Sequence, residues 1–267
     1  MKLAKHPPNR VLQLADIPRA GLEMSLFPWT LPCLLSARKG DGSPVMMIPG
    51  FMGDESSFNI MKRYLNHLGY RAFTWGQGRN LGFRRGRLYR TITRIEELQQ
   101  QFDQPVNLIG QSLGGIFARE IAKRRPDLIQ QVITLGSPFG DPNGTTSTAT
   151  QLYKTINPDV PESHLSEEEI AMIDKFVEAP PVPQTAIYSR SDGHTHWTGC
   201  VQLKAKDAPA ENIEVYGSHI GMSWNGLILY VVADRLALQK DHWKPFDRSG
   251  WRSMYFPKPV PIERHAA

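Results

Sequence analysis

Ser112 is the residue whose surroundings point most directly to chemistry. Residues 110–114 read GQSLG, with the apolar segment 105–109 before them and an amphipathic run after them. The branched apolar residues predict a buried parallel strand, and the run after the serine predicts a helix. A serine on a sharp turn from strand to helix, between glycines that permit close backbone approach, is typical of a nucleophile elbow. The alternative is a glycine-rich turn that takes no part in chemistry.

A serine nucleophile needs two partners, because its hydroxyl is barely nucleophilic at its own pKa. A histidine must take its proton, and a carboxylate must orient that histidine. Asp192 follows the apolar segment 184–189, and His219 follows the segment 212–216. The carboxyl ends of parallel strands meet at one edge of a sheet, so we expect Ser112, Asp192 and His219 to form a triad.

Two other histidines, His194 and His196, compete with His219 for the role of base. Together with Asp192 and Cys200 they would also be candidates for a metal site. An H-x-H pair without a further ligand signature is weak support for a metal. We therefore predict neither a metal nor any other cofactor.

Acyl transfer also needs two N–H groups that stabilise the oxyanion of a tetrahedral intermediate. One candidate is the N–H of Leu113, directly after the serine, and the other is the N–H of Phe51, in the loop after the first core strand. Gly50 lets the chain turn just before Phe51. The alternative is that residues 49–51 form only a turn.

Apolar residues close to these positions predict that the substrate carries a hydrophobic acyl group. We expect four side chains to contact it: Met52, Phe139, Leu152 and Met222. We expect the substrate itself to be a small-molecule ester or a lipid.

Short apolar runs alternate with amphipathic stretches along the chain. This alternation predicts an α/β fold, with a mostly parallel sheet of about six strands and helices on both faces. The predicted strands cover residues 45–48, 70–75, 105–109, 131–135, 184–189 and 212–216. The predicted helices cover 56–68, 87–102, the run after the serine, and 227–238.

The length of 267 residues and the hydrophobic content of 40% predict a single domain, 1–267, with its core at about 44–238. Residues 140–183 break the alternation with polar, charged and proline-rich stretches, and we expect them to form a cap over the site. Residues 241–267 have no regular pattern but are too aromatic for a disordered extension. We expect this tail to wrap back onto the body or to meet a partner.

The net charge of +5 invites a nucleic-acid or membrane partner. The densest run of positive charge contains six arginines: Arg79, Arg84, Arg85, Arg87, Arg90 and Arg94. The run lacks aromatic interleaving of the kind that stacks bases and contains no recognisable nucleic-acid module, so we predict no nucleic-acid partner. A solvated helix face is the favoured interpretation, and weak contact with a membrane surface or an anionic substrate is the functional one.

We expect a cytoplasmic protein. No apolar run approaches the roughly 18 residues of a membrane span, and the first residues lack the apolar core of a secretory signal. Two cysteines far apart in such a chain, Cys33 and Cys200, are expected to stay reduced.

Taken together, five segments resemble the α/β-hydrolase superfamily, and more narrowly its bacterial triacylglycerol lipase and esterase branch. They are residues 48–51 (IPGF), 110–115 (GQSLGG), 134–138 (TLGSP), 192–193 (DG) and 218–219 (SH). The resemblance covers about residues 44–238. It implies Ser112 as nucleophile, Asp192 as acid and His219 as base, with Phe51 and Leu113 as the oxyanion amides.

The chain departs from that branch at two motifs. Residues 49–50 read PG where His-Gly is common, and residues 137–139 read SPF where Thr-Pro-His is usual. Neither change removes a catalytic group, but both reshape the pocket. We expect hydrolysis of carboxylic esters through an acyl-enzyme. The alternatives are an acyltransferase or thioesterase that uses the same intermediate, or a non-catalytic binding protein whose contacts are the tail and the arginines.

Overall fold

The centre of the fold is a six-stranded sheet in which all neighbouring strands run parallel. The computed structural model describes residues 9–82, 86–140, 177–206, 208–238 and 242–261, and the backbone of 263–264. The strands are β1 (Pro44–Ile48), β2 (Arg71–Thr74), β3 (Val106–Gln111), β4 (Ile129–Leu135), β5 (Gln184–Tyr188) and β7 (Ala210–Glu214). The predicted fold class is confirmed.

The strand order across the sheet is β2-β1-β3-β4-β5-β7. The chain adds β2 on one side of β1 and all later strands of this sheet on the other, so its direction changes between β1 and β3. In open parallel sheets, ligands bind at such a point, beyond the carboxyl ends of the strands. The crevice beyond Ile48 and Gln111 is therefore where the topology predicts a site.

Helices cover both faces of the sheet. They are α2 (Asn59–Leu68), α3 (Arg87–Phe102), α4 (Leu113–Arg124) and α5 (Gly226–Leu236). Side chains of β1 alternate between the two faces, as a strand dictates. Val45 and Met47 pack with α2 and α5, whereas Met46 and Ile48 pack with α3 and α4.

The predicted elements are found with small shifts at their ends. Helix 87–102 has the predicted bounds, whereas helix 56–68 begins as a 3-10 turn, Glu55–Phe58, capped by the carboxylate of Asp54. The last strand lies two residues earlier than predicted, since Tyr216 has already left the sheet and is 58% exposed.

A long helix that the sequence pattern does not predict precedes the sheet. This helix, α1 (Arg10–Leu35), has 26 residues and is capped at its start by the side chain of Asn9. It contains three prolines, and each removes a helical hydrogen bond. It packs against α5 and the turn Ile220–Ser223.

The outward side of α1 is apolar, which is the reverse of an ordinary surface helix. Its large exposed apolar residues are Val11, Leu14, Ile17, Leu22, Met24, Leu26, Trp29 and Leu35. Its carboxylates, Asp16 and Glu23, instead turn towards the protein. A helix with apolar residues on its exposed side produces no amphipathic signal, and this explains why the pattern does not reveal it.

Most of the predicted cap cannot be compared with the structure, because residues 141–176, including Leu152, lie outside the described residues. The tail returns to the body: Phe246 and Phe256 are buried and pack around Tyr230 of α5. The tail also contains the short helix α6 (Arg252–Tyr255). Its last described strand, β8 (Glu263–Arg264), pairs with the two-residue strand β6 (Lys204–Ala205).

Both cysteines are free thiols, Cys33 half-buried and Cys200 buried. Within the described part of the chain, no helix combines the length and apolar character needed to cross a membrane.

Candidate active site

Ser112 occupies a strained turn between β3 and α4. Its backbone has φ 52° and ψ −122°, a left-handed conformation that L-residues with side chains rarely adopt. The N–H of Ser112 donates to the carbonyl of Leu135, at 2.8 Å, so the turn is anchored to β4. Strain of this kind persists only where the surroundings enforce it, and it presents the hydroxyl at the carboxyl edge of the sheet.

The glycines around the serine are required by close packing. A Cβ on Gly110 would lie 2.3 Å from the carbonyl oxygen of Gly114. A Cβ on Gly114 would lie 2.1 Å from the carbonyl oxygen of Ile48. Helix α4 therefore starts against the backbone of β1 and β3, and the G-x-S-x-G spacing follows from that geometry.

The structure brings Asp192 and His219 together. Nδ1 of His219 lies 2.7 Å from Oδ2 of Asp192, and both residues are buried. The other carboxylate oxygen accepts the N–H groups of His194 and Thr195, each at 2.8 Å. The Thr195 hydroxyl donates to Oδ2 at 2.9 Å. These donors hold the carboxylate in place, with Oδ2 facing the His219 ring.

The His219 ring is poised to accept a proton. Burial by itself would lower the pKa of His219, but the Asp192 carboxylate, which faces its ring, outweighs burial. The pKa of His219 is therefore raised above its ordinary value.

Ser112 and His219 line one pocket, a cavity of about 420 Å³. The other lining residues are Gly50, Phe51, Met52, Gly53, Ser57, Gln111, His194, Ile220 and Trp224. The wall is predominantly apolar, with a few polar groups at its base, as is usual for sites that bind small molecules.

The loop after β1 approaches the serine closely. A Cβ on Gly50 would lie 3.1 Å from the Cβ of Ser112, so a larger residue there would press on the elbow. Phe51 and Met52 follow on the pocket wall, and Met52 has φ 65°. Leu113 is the first residue of α4, where N–H groups have no partner within the helix.

A buried asparagine that the sequence pattern does not single out, Asn80, fixes this loop. Its side-chain amide donates to the carbonyl of Pro49, at 2.7 Å. Its backbone carbonyl accepts the N–H of Met52, and its N–H donates to the carbonyl of Gly53, at 2.7 and 2.8 Å. Asn80 is distant in sequence and lies in a glycine-rich loop, so only the fold reveals this clamp.

Of the four side chains expected to contact the substrate, one lies on the pocket wall and two lie in the core. Met52 lies on the pocket wall. Phe139 is 1% exposed and lies under the guanidinium of Arg119, 3.7 Å from the ring centroid, within the core on the α4 side. Met222 is fully buried in the opposite cluster. Burial removes both from the pocket surface, and Leu152 lies outside the described residues.

The rival histidines occupy different places. The ring of His194 lies on the pocket wall and stacks on that of His219, with centroids 5.2 Å apart. His196 instead contacts the Thr198 hydroxyl through Nδ1, at 2.7 Å. Across the described segments, no group of three or more His, Cys, Asp or Glu side chains is arranged to hold a metal ion.

Two arginines of the run contact neighbouring side chains of the protein itself. Arg87 lies over the ring of Trp75, 5.2 Å from its centroid, and Arg94 pairs with Glu97 at 2.6 Å. Residues 83–85 are outside the described residues.

Helix α1 contacts both loops that contain the triad candidates. Asp16 is fully buried and accepts the N–H of His219 at 2.9 Å. Arg19 donates to the carbonyl and hydroxyl of Ser191, at 2.6 and 2.8 Å. Glu23 accepts the N–H of Ser218 at 2.6 Å. These inward residues lie three and four positions apart, the spacing of one helix face, but the sequence offers no sign of what that face meets.

A family model described as the PGAP1-like alpha/beta domain matches residues 70–178. Comparison with curated protein sequences finds no match. Among solved structures, the monoacylglycerol lipase of Paleococcus ferrophilus is 16% identical with a TM-score of 0.50, over 72% of this chain and 96% of the lipase.

Two further structures are similar over comparable lengths. Bacillus licheniformis lipase BlEst2, in its mature form, is 15% identical with a TM-score of 0.55, over 76% of this chain and 95% of the lipase. A metagenome-derived lipolytic enzyme, from the pair LipS and LipT, is 15% identical with a TM-score of 0.55, over 75% and 95%. With the parallel sheet and its strand order, these likenesses establish the fold. The chain has the α/β-hydrolase fold, and its structure is similar to those of these lipases.

Proposed function

We propose that the protein is a serine hydrolase that cleaves carboxylic esters of hydrophobic acyl groups. The observation that supports this best is the 2.7 Å contact of Asp192 with His219, which lines the same pocket as Ser112 on its strained turn. A nucleophile, a base and an orienting acid in this relation are what acyl transfer requires.

In the proposed reaction, Nε2 of His219 takes the proton of the Ser112 hydroxyl while the serine oxygen attacks the ester carbonyl. The negative charge that forms on the carbonyl oxygen is stabilised by the N–H groups of Phe51 and Leu113. The C–O bond to the alcohol then breaks, and the leaving oxygen takes the proton from His219. Asp192 keeps the ring oriented and stabilises its protonated form.

Water completes the cycle. His219 takes a proton from a water molecule, whose oxygen attacks the acyl carbon, and the proton then returns to Ser112 as the acid is released. The apolar wall supports a hydrophobic acyl group, since Met52, Ile220 and Trp224 can bury methylene groups there. The same acyl-enzyme would serve an acyltransferase or thioesterase if an alcohol or amine entered in place of water, or if the substrate were a thioester.

A series of p-nitrophenyl esters of increasing chain length tests the proposal. We expect the wild type to hydrolyse them and Ser112→Ala to lose about 10³-fold or more in kcat. A folded Ser112→Ala variant with substantial turnover would contradict the proposed nucleophile. Added alcohols or amines that divert the acyl group would identify an acyltransferase.

We also propose that the outward side of α1 makes weak contact with a membrane surface. The charges support an anionic headgroup layer as partner: Arg10, Arg38 and Lys39 are exposed at the two ends of the helix, while its carboxylates point inward. Trp29 is 83% exposed, and tryptophan favours the interfacial layer.

Sedimentation of Ser112→Ala protein with vesicles tests this contact without any contribution from catalysis. We expect binding to vesicles that contain anionic lipid, weaker binding to neutral ones, and loss of binding in Trp29→Ser. Absence of binding would refute the contact. So would a dimer of the wild type in solution that the Trp29→Ser substitution dissociates.

A further inference from the structure

Both proposed triad loops are attached to one buried carboxylate. Oδ1 of Asp16 accepts the N–H of Gly193, next to the proposed acid, at 3.3 Å, and the N–H of His219, the proposed base, at 2.9 Å. Oδ2 accepts the N–H of Ile220 at 3.0 Å. We propose that Asp16 is a positioning residue, which holds the acid loop and the base loop in register through these bonds.

The same carboxylate reaches a second histidine. Oδ2 of Asp16 lies 3.4 Å from Nδ1 of His194, whose ring stacks on His219. One side chain from α1 thus binds the backbone of the base and lies close to the ring packed against it. Burial alone would raise the pKa of Asp16, but the His194 ring and the N–H groups outweigh burial, so that pKa lies below its ordinary range.

The loops are shaped to receive α1. A Cβ on Gly193 would lie 2.5 Å from the carbonyl oxygen of Leu12, on the first turn of the helix. A Cβ on Gly221 would lie 2.2 Å from the carboxylate of Glu23. Each loop therefore has a glycine where a side chain would keep the helix out, on either side of the position of Asp16.

Two further side chains hold the helix in place. Arg19 binds the carbonyl and hydroxyl of Ser191, which adjoins the proposed acid. Glu23 binds the N–H of Ser218, which adjoins the proposed base, and the amide of Asn225 at 3.1 Å. Asp16 is central because it alone of the three contacts both loops.

Asp16 also acts on the base through its charge. The titratable groups that face the His219 ring are Asp192 and His194 from the acid loop and Asp16 from α1. A negative charge at Asp16 favours the protonated ring, after the larger effects of burial and of Asp192. Neutralising Asp16 therefore shifts the titration of His219 to lower pH.

Asp16→Asn separates positioning from simple loss of structure. An amide oxygen in the place of Oδ1 keeps the bonds to Gly193 and His219. The amide nitrogen in the place of Oδ2 then faces the N–H of Ile220, where one donor meets another, and the charge is gone. Asp127→Asn is the matched control, because it removes the same charge from a carboxylate that is 60% exposed and pairs with Arg125 in the turn after α4.

The inference rests on the proposed hydrolysis, so one of its readouts does not use activity. We expect ¹⁵N NMR of the imidazoles to show His219 titrating at lower pH in Asp16→Asn than in the wild type. With p-nitrophenyl butyrate we expect kcat to fall about 10- to 100-fold, with KM within about threefold, because the clash of two donors at Ile220 displaces the base loop and leaves the pocket open. Asp127→Asn should match the wild type in both assays.

An unchanged His219 titration in folded Asp16→Asn, or an unchanged kcat, would overturn the inference. So would an equal fall of kcat in Asp127→Asn. If Asp16→Asn does not fold, Asp16→Glu takes its place, because the longer side chain keeps the charge but displaces the two carboxylate oxygens, and wild-type kcat in Asp16→Glu would overturn the inference. If the wild type hydrolyses no ester, the proposed function fails, while the NMR titration still tests Asp16.

Discussion

The side chain of Gln111 donates a hydrogen bond of 2.8 Å from Nε2 to the backbone carbonyl of His219. Gln111 is buried and immediately precedes the serine. The elbow is thus bound to the backbone of the proposed base, while Asp192 orients the ring of that base. These two attachments fix where the imidazole stands relative to the nucleophile.

Gln111→Met should slow the reaction without closing the pocket. Methionine has a similar length but no donor, so the carbonyl of His219 loses its 2.8 Å bond, keeps the longer one from the N–H of Met222 at 3.4 Å, and the base loop shifts. We expect kcat to fall about tenfold with KM little changed, measured by steady-state kinetics. Gln101→Met, at an exposed position of α3, is the control. Equal kcat values for Gln111→Met and the wild type would mean that the bond does not position the base.

The strained backbone of Ser112 should lower the stability of the protein. At φ 52° a glycine is relaxed whereas alanine keeps the strain, so Ser112→Gly should be more stable than Ser112→Ala. The greater freedom of glycine in the unfolded chain offsets part of this gain, which leaves a few tenths to about 1 kcal/mol. Urea unfolding of both variants measures the difference, and both should lack turnover. A less stable Ser112→Gly would show that the elbow is not strained.

The pH dependence of kcat/KM should follow His219. The base must be unprotonated, so kcat/KM should rise with pH, with a midpoint above the ordinary histidine value of about 6.5. Asp192→Asn should lower both kcat and this midpoint, because the carboxylate that raises the pKa is gone.

The raised pKa of His219 also predicts how the free energy of unfolding changes with pH. Because the pKa of His219 is raised in the folded state, its contribution is fully present below about pH 6.5 and is lost as pH rises through the folded-state pKa. Urea unfolding between pH 5 and 9 should show this loss in the wild type and less of it in Asp192→Asn. A midpoint of kcat/KM that does not move in Asp192→Asn would contradict the assignment of acid and base.

Asn80→Ala should loosen the loop that contains Phe51. The substitution removes the bond to the carbonyl of Pro49 and the one that the side-chain oxygen accepts from the N–H of Gly82, at 2.7 and 3.1 Å. Loss of buried partners should reduce the free energy of unfolding by about 1–3 kcal/mol. We expect kcat to fall more than KM rises, since the proposed oxyanion contact matters most in the transition state. Asn59→Ala, at an exposed position, is the control. A normal kcat in Asn80→Ala would show that Asn80 does not position the loop that contains Phe51.

The local sequence pattern was sufficient to predict the sheet and the proximity of Asp192 and His219. Both residues follow a buried strand, and parallel strands bring their carboxyl ends to one edge whatever lies between them. Contacts between distant segments carry no such local signal. Phe139 and Met222 are close in sequence to site residues, yet their side chains point into the core.

Helix α1 is the largest element that the pattern leaves out. Its prolines are unfavourable in a helix. Because its outward side is apolar, the sequence pattern does not distinguish the inward face, on which Asp16 lies. A buried aspartate is understandable only once the N–H groups of Gly193, His219 and Ile220 are seen around it. The sequence alone does not indicate these hydrogen bonds.

Reaction with a fluorophosphonate, followed by intact mass and peptide mapping, shows whether Ser112 is an activated nucleophile. We expect one adduct per chain, on Ser112, formed quickly by the wild type and far more slowly by His219→Ala. Folded protein that forms no adduct, or an adduct on another residue, would contradict Ser112 as an activated nucleophile.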